Sequence, residues 1–294
     1  HNPVHENGIK FFDSRGLKLP EEVELEIERL LDQPMTLGED SGVNFGRQVD
    51  GRDLRERYVD HLVDEHQDFS LDGVKIALDC ANGAAAWYAP QVFARLGAEI
   101  VVINASPTGK NINAVAGSEH VRREPQDLKA VMDHFGASFG VVFDGDADRV
   151  IFMDENGNLV DGDHMLAILG DYFKDQGMLL ADTVVSTTMR NGALVNYFSE
   201  REIDFVETRV GDKYVMAELQ ELMAGPYSKG QIGLGGEQSG HIILMDGEHA
   251  TGDGLRSAVF VIRALRASGK DSLAELAESI HKYHQVIASA VVAE

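Results

Sequence analysis

From Lys75 onward, short apolar runs alternate with segments of helical periodicity, and this alternation limits the fold more than any other feature of the chain. Residues 75–79 read as a strand, 84–96 as a helix that Gly97 can end, and 99–104 as the next strand. After a Gly-, Asn- and Ser-rich loop over 105–120, residues 125–135 read as a helix and 139–143 as a short buried strand. Residues 150–153 form another strand, closed by the turn signal Glu155-Asn156-Gly157-Asn158. A second unit follows, with helices at 163–173, 192–199 and 211–222 and strands at 183–188 and 204–208. Two strands, 232–234 and 242–245, then flank a Gly-rich turn. Asp253 caps a helix with Leu255, Ala258, Val259, Ile262 and Leu265 on one face, and 272–280 is the last helix. Strands alternating with helices predict an α/β protein of two consecutive α/β sheet domains, dividing near residue 160.

The segment before Lys75 is of a different kind. Residues 1–19 read as loop with a short strand at 8–12. Residues 21–31 read as an amphipathic helix opened by Pro20, with Val23, Ile27, Leu30 and Leu31 on one face. A polar, Gly-rich linker over 33–50 leads to a bridging helix at 53–65. The chain opens on His1, and residues 286–293 form an apolar, strand-like end, so both termini are expected to be cuts in a longer protein.

Most of the chemistry concentrates at the end of the strand 139–143, in Asp144-Gly145-Asp146-Ala147-Asp148-Arg149. Two like charges about 4 Å apart repel by roughly 4 kcal/mol at an effective dielectric of about 20. Three crowded carboxylates are therefore splayed into water, partly protonated, or sharing a cation. An all-oxygen set favours a hard ion, Mg²⁺ or Ca²⁺. Arg149 adds a fixed positive charge suited to a phosphate oxygen. Three other readings stay open on these residues alone. One is an acidic turn on an acidic protein. Another is a calcium-binding EF-hand loop with Glu155 at its twelfth position, opposed by Arg149 where that loop needs Gly and by the preceding strand. The last is a haloacid-dehalogenase-type phosphatase with Asp144 as nucleophile, opposed by Asp148 where that pattern has Thr.

Other stretches are weaker signals. Gly235-Gly236-Glu237-Gln238-Ser239-Gly240-His241 has glycines that leave room for a ligand, and Glu237 and Ser239 can hold neighbouring sugar hydroxyls; the plain alternative is a Gly-rich hairpin. His241 alone reads as a satisfied structural histidine. Asp212 and Lys213 open a helix whose backbone N–H groups favour an anion, or Asp212 is an ordinary cap. Lys10, after Asn7-Gly8-Ile9, reads as a surface lysine. No Walker-type phosphate loop, dinucleotide fingerprint or zinc spacing occurs.

With 294 residues, 44% apolar and 26% charged, the chain is long enough for two cores. A net charge of −23 disfavours nucleic acid or an anionic membrane surface as partner. It also means that an anionic ligand needs local Arg and Lys. Cys80 is the one cysteine, which excludes an internal disulfide and fits a reducing cytoplasm. There is no apolar run long enough to span a membrane and no signal peptide.

Taken together, these stretches resemble the α-D-phosphohexomutase superfamily, over nearly the whole chain. The resemblance rests on Asp144 to Arg149 and Gly236 to His241, supported by Val210-Gly211-Asp212-Lys213-Tyr214-Val215, Thr251-Gly252-Asp253-Gly254, Asp79-Cys80-Ala81-Asn82-Gly83-Ala84 and the opening His1-Asn2-Pro3 with Asn7 to Phe12. It implies interconversion of hexose 6- and 1-phosphates through a phosphoserine and a 1,6-bisphosphate. Gln238 and Asp212-Lys213 favour the branch that acts on glucosamine phosphate for cell-wall precursors, with the mannose and glucose branches as alternatives. The resemblance further implies Mg²⁺ held by Asp144, Asp146 and Asp148, Arg149 steadying the phosphoryl group, and Lys10 as a proton acceptor. Glu237, Ser239 and His241 would bind the sugar, with Asp212 and Lys213 beside it. The reacting serine would stand immediately before His1, and a fourth domain with a phosphate-gripping loop would follow, so little turnover is expected of this chain. Gly117-Ser118-Glu119-His120 departs from the family's Gly-Ser-Thr-His. The implied layout is the tail of a first domain over 1–52, a metal-binding domain over 53–160, a sugar-binding domain over 161–280 and a hinge over 281–294. A cytoplasmic enzyme is expected, with a homodimer as one compatible assembly.

Overall fold

The computed structural model describes residues 4–6, 8–14, 16–33, 47 and 49–286. Two mixed sheets carry it. The first holds β1 (Lys75–Asp79), β2 (Glu99–Ile103), β3 (Phe139–Phe143), β4 (Val150–Met153) and β5 (Leu159–Val160) in the order β2-β1-β3-β4-β5. β1 pairs in parallel with β2 and β3, whereas β3, β4 and β5 run antiparallel in turn. The second holds β6 (Leu179–Thr187), β7 (Asp204–Thr208), β8 (Ile232–Gly236) and β9 (Ile242–Met245) in the order β7-β6-β8-β9. Its pairings repeat those of the first sheet: β6 lies parallel to β7 and β8, and β8 antiparallel to β9. The β3–β4 and β8–β9 hairpins are therefore equivalent in position. One carries Asp144 to Arg149 and the other Glu237 to His241.

Ten helices accompany the sheets among the described residues: α1 (Glu21–Leu31), α2 (Arg52–Glu65), α3 (Ala85–Arg95), α4 (Ser118–Arg123), α5 (Pro125–Phe135), α6 (Gly162–Asp175), α7 (Ala193–Ser199), α8 (Asp212–Met223), α9 (Gly254–Ser268) and α10 (Leu273–Ala277). β3 and β4 are buried at every position, which explains their unbroken apolar sequence. Asp161 caps α6 in a capping box with His164, and Asp253 caps α9 by accepting from the Arg256 N–H at 3.0 Å. α9 packs against β4 of one sheet and β9 of the other. One continuous core thus runs from Phe143 and Phe152 through Leu255, Val259 and Ile262 to Leu234 and Leu244. α2 lies across the same junction: Tyr58 donates to Asp253, and Glu65 accepts from Arg256.

The structure departs from the sequence pattern in several places. Residues 8–11 form no strand; only a single bridge joins Phe12 to Lys18, because no partner strand stands beside them among the described residues. The loop expected to run to residue 120 yields to α4 at Ser118, a helix too short to show apolar periodicity. β6 starts at Leu179 rather than 183, since a bulge with Ala181 and Asp182 at φ 51° and 49° interrupts the pattern. β5 was not expected, and α10 is shorter than the 272–280 periodicity suggests. α1 forms as expected, yet none of its residues is buried, and Val23, Leu30 and Leu31 are 42%, 52% and 78% exposed. Most of the linker and the strand-like segment 286–293 lie outside the described residues, apart from a few linker positions and Val286.

The junction of the two hairpins depends on glycine. The Val150 N–H donates to the Gly240 carbonyl at 3.1 Å, and the Gly162 N–H to the Gln238 carbonyl at 3.1 Å. A β-carbon on Gly240 (φ +95°) would stand 2.2 Å from the Val150 oxygen, and one on Gly162 would stand 1.9 Å from the Glu237 oxygen. Gly162→Ala is expected to cost about 1–3 kcal/mol in urea denaturation, as overpacking does. Gly8→Ala, which meets nothing within 4 Å, is the control and should leave the midpoint unchanged.

His66 makes a second prediction. It is fully buried against Phe260, with Nδ1 3.4 Å from the Arg263 guanidinium. Burial first, and then the nearby arginines, push its pKa from 6.5 down to about 4, against the pull of Glu65. The unfolded chain therefore takes up this proton more readily, so the stability is complete above pH 6.5 and is lost as pH falls towards 4. Denaturation at pH 7.5 and pH 5 should show a loss of roughly 2 kcal/mol from this group, absent in His66→Gln.

Candidate active site

The acidic loop is held by its own backbone. The Arg149 N–H donates to Asp144 Oδ1 at 3.3 Å, and the Asp144 and Arg149 backbones pair across the hairpin. Ala147 takes φ +61° between the last two aspartates, and its carbonyl accepts from the Gly254 N–H at 3.0 Å. One oxygen from each of Asp144, Asp146 and Asp148 lies within 4.8 Å of the others. Asp144 is 1% exposed, and burial, together with repulsion by Asp148 and Asp146, pushes its pKa up to about 7. Lys10 reaches in from the N-terminal segment, with Nζ 2.6 Å from Asp146 and 2.8 Å from Asp148. Burial works against the Lys10 charge, but hydrogen bonds to both aspartates outweigh it and hold its pKa above the ordinary lysine value. The same contacts offset burial at Asp146 and bring its pKa down to about 2. The loop is thus a set of hard oxygen donors with a partner cation, and a buried carboxylate whose ionised form needs one. A divalent ion fits that donor set.

The second hairpin meets the first through His241. This side chain is buried, with Nδ1 3.6 Å from Asp212 and Nε2 4.0 Å from Asp148. Burial holds its pKa below the ordinary histidine value despite both carboxylates. Gly252 leaves its ring room: a β-carbon there would stand 1.9 Å from Nε2. Asp212, the first residue of α8, pairs with Lys18, which outweighs burial and holds the carboxyl below its usual range. Glu237 accepts from the Gly211 N–H at 3.0 Å, and Ser239 Oγ donates to Glu237 at 3.5 Å. Gln238 turns the other way. Its amide donates to the buried Asp163 at 2.6 Å and to Gln285 at 3.0 Å, and Lys282 also reaches Asp163 at 2.9 Å.

A cleft of about 1060 Å³ opens where these elements meet. Lys10, Asp146, Asp148, Arg149, Asp212, Glu237 and His241 all line it. Asp144 sits behind them, fully buried. Ser239 lies beside Glu237 without lining the cleft, and Lys213 turns to Glu21 at 3.5 Å and the Tyr214 ring. His241, read alone as structural, touches both loops. Sequence reasoning passed over Lys18, Asn82 and Asn113, which also line the cleft. Asn82 had a visible signal: Asn82-Gly83-Ala84 after β1 recurs as Asn191-Gly192-Ala193 after β6, at the equivalent place in the second sheet. Arg149 Nε is buried with no hydrogen-bond partner among the described residues and lies 3.9 Å from Asp148.

This geometry removes two rival readings. An EF-hand needs flanking helices and Glu155 on the ion, but β3 and β4 flank the loop, and Glu155 accepts from the Ala274 N–H instead. A nucleophilic Asp144 needs access to a phosphate, and this side chain is buried. The segment His1-Asn2-Pro3 and Asn7 lie outside the described residues.

Known proteins bear on the same surfaces. Family models for phosphoglucomutase/phosphomannomutase match residues 1–37 (alpha/beta/alpha domain I), 56–157 (domain II) and 161–283 (domain III). The phosphoglucosamine mutase of Halalkalibacterium halodurans is 45% identical over 290 residues, covering 98% of this chain and 61% of that protein. That of Bacillus velezensis is 41% identical over 295 residues, covering 100% and 62%. The chain thus spans about 60% of the length of these curated relatives. Among solved structures, a putative phosphomannomutase from Thermus thermophilus superposes with a TM-score of 0.75 at 23% identity, over 95% of this chain and 60% of that one. The Aspergillus fumigatus N-acetylphosphoglucosamine mutase, in complex with GlcNAc-6P and magnesium, gives 0.74 at 17% identity, over 96% and 71%. Matched by three successive domain models of one family, in order and over most of its length, this chain belongs to the phosphoglucomutase/phosphomannomutase family of α-D-phosphohexomutases.

Proposed function

We propose that this chain supplies the metal-binding and sugar-binding parts of a phosphoglucosamine mutase, interconverting glucosamine 6-phosphate and glucosamine 1-phosphate for amino-sugar precursors. The observation that carries the reading is the convergence of Asp146, Asp148, Arg149, Glu237 and His241 on one cleft. The 41–45% identity to proteins named for that activity supports the choice of substrate. Asp144, Asp146 and Asp148 would hold Mg²⁺, which when bound neutralises charge on a phosphoryl oxygen. Arg149 offers an N–H in a buried setting with no hydrogen-bond partner among the described residues, suited to the transferring phosphoryl group. Glu237 keeps acceptor capacity beyond its bond to Gly211 and would accept hydrogen bonds from sugar hydroxyls, with Ser239 steadying it. His241 would lie between the metal loop and Asp212 at the sugar, with Lys213 at the rim. Gln238 would act from behind through Asp163. The phosphoserine implied by the family likeness, immediately before His1, would be the phosphoryl donor. Action in the cytoplasm belongs to the same reading, in line with the lone Cys80, and a homodimer is an assembly to test by sedimentation.

Lys10 gains a specific role. Its ammonium neutralises Asp146 and Asp148, two of the three residues that would hold Mg²⁺, so Lys10 and the ion would compete for the same carboxylates. With its hold on those carboxylates weakened, Lys10 would give up its proton more readily and would then be suited to accept one from a substrate hydroxyl. Calorimetry should find Mg²⁺ binding several-fold tighter in Lys10→Met and abolished in Asp146→Asn/Asp148→Asn. Unchanged Mg²⁺ affinity in Lys10→Met would sink the competition.

Substrate choice is tested by calorimetry with Mg²⁺ present, comparing the 6-phosphates of glucosamine, glucose and mannose. Glucosamine 6-phosphate should bind most tightly, and Glu237→Gln should weaken it by roughly tenfold, about 1.4 kcal/mol. Equal affinity for all three would remove the glucosamine assignment and leave the family's mannose and glucose branches level with it.

A further inference from the structure

A second group of metal-ligating side chains lies outside the residues that line the cleft, where α2 packs on the turn between β9 and α9. His61 and Glu65 stand four residues apart on α2 and so share a face. His249 reaches them from the turn. One ligand atom from each of the three lies within 4.8 Å of the others.

The histidine tautomer can be read from its surroundings. His249 Nδ1 lies 3.0 Å from both oxygens of Asp246. Asp246 also accepts from the always-charged Arg256 guanidinium at 2.6 Å, which keeps it a carboxylate. An ionised carboxylate only accepts, so Nδ1 carries the proton and Nε2 presents a lone pair. That lone pair faces His61 Nε2 at 2.7 Å. Arg256, 1% exposed, donates to Glu65 at 2.6 Å and to Asp246 at 2.6 Å, and so fixes both carboxylates. Metal-binding histidines almost always donate their other N–H to such an acceptor, which sets the ring's orientation and raises its basicity.

We propose that His61, Glu65 and His249 form a site for a transition-metal dication of the zinc type, with water completing the coordination. Two imidazoles and a carboxylate suit zinc, whereas the all-oxygen loop at Asp144 suits magnesium. Zinc–nitrogen bonds of about 2.0–2.1 Å place tetrahedral donors roughly 3.3 Å apart, so the two rings separate by about half an ångström as the ion enters. His61 then carries its proton on Nδ1 instead of Nε2, with no net release. Glu65 and Asp246 against Arg256 leave one negative charge to meet the ion. The bound metal would fasten α2 to the β9–α9 turn. No zinc spacing is visible in the sequence because His61 and His249 are 188 positions apart.

The test uses Zn²⁺ in calorimetry and Co²⁺ in visible absorption on the purified chain. One Zn²⁺ per chain is expected, with Co²⁺ d–d bands. Both signals should persist in Asp146→Asn/Asp148→Asn and weaken at least about tenfold in His61→Ala and His249→Ala. Thermal unfolding should rise with Zn²⁺ in the unaltered chain and in the loop variant, but not in the histidine variants. If His249→Ala does not fold, the helix-surface change His61→Ala carries the comparison. Absence of Zn²⁺ binding, binding that follows Asp146 and Asp148, or binding that persists without His61 overturns the proposal.

Discussion

The structure depends on a close approach between two polypeptide backbones. The acidic hairpin and the β8–β9 hairpin are joined by the hydrogen bond from Val150 to Gly240, and the second loop is tied to the start of α6 by the bond from Gly162 to Gln238. Side chains at those glycines would collide with carbonyl oxygens. This contact gives His241 its place between Asp148 and Asp212 and brings Glu237 to the same cleft as Arg149. Neither loop alone gathers that set of charges.

The repeated strand order explains why the loops can meet. In each unit a central strand is flanked by two parallel neighbours, and the outer hairpin carries residues that line the cleft. α9 touches the last strand of that arrangement in both sheets, and Asp253 at its start accepts from Tyr58 of α2. The chain's strong negative charge is handled locally: Lys10, Lys18 and Arg149 all face the cleft, where an anion would otherwise be repelled.

Much of this was legible in the sequence. The buried strands β3 and β4 announced themselves by apolar runs, and Asp144 to Arg149 by its spacing. The convergence of Asp146, Asp148, Glu237 and His241 was not visible in any local pattern, because it follows from tertiary contacts between loops far apart in sequence. Only the family likeness carried it. Lys18 gave no local signal either, since a single lysine in a loop looks like any surface lysine. The bulge at Ala181 and Asp182 hid the start of β6 because two polar-side positions broke the alternation on which strand reading relies. The strand expected at residues 8–12 failed for the opposite reason: the alternation was there, but among the described residues no partner strand was.

The continuous core beneath the two hairpins has a mechanical consequence. α9 buries Leu255, Val259 and Ile262 between the sheets, and Arg256 ties the same helix to α2 and to the β9 turn. Swinging one sheet away from the other would strip apolar surface from all of these at once and strand a buried guanidinium. The two walls of the cleft therefore move as one rigid block. Any ligand that spans from Arg149 to Glu237 therefore has to fit, and turn within, a cradle whose walls keep their spacing.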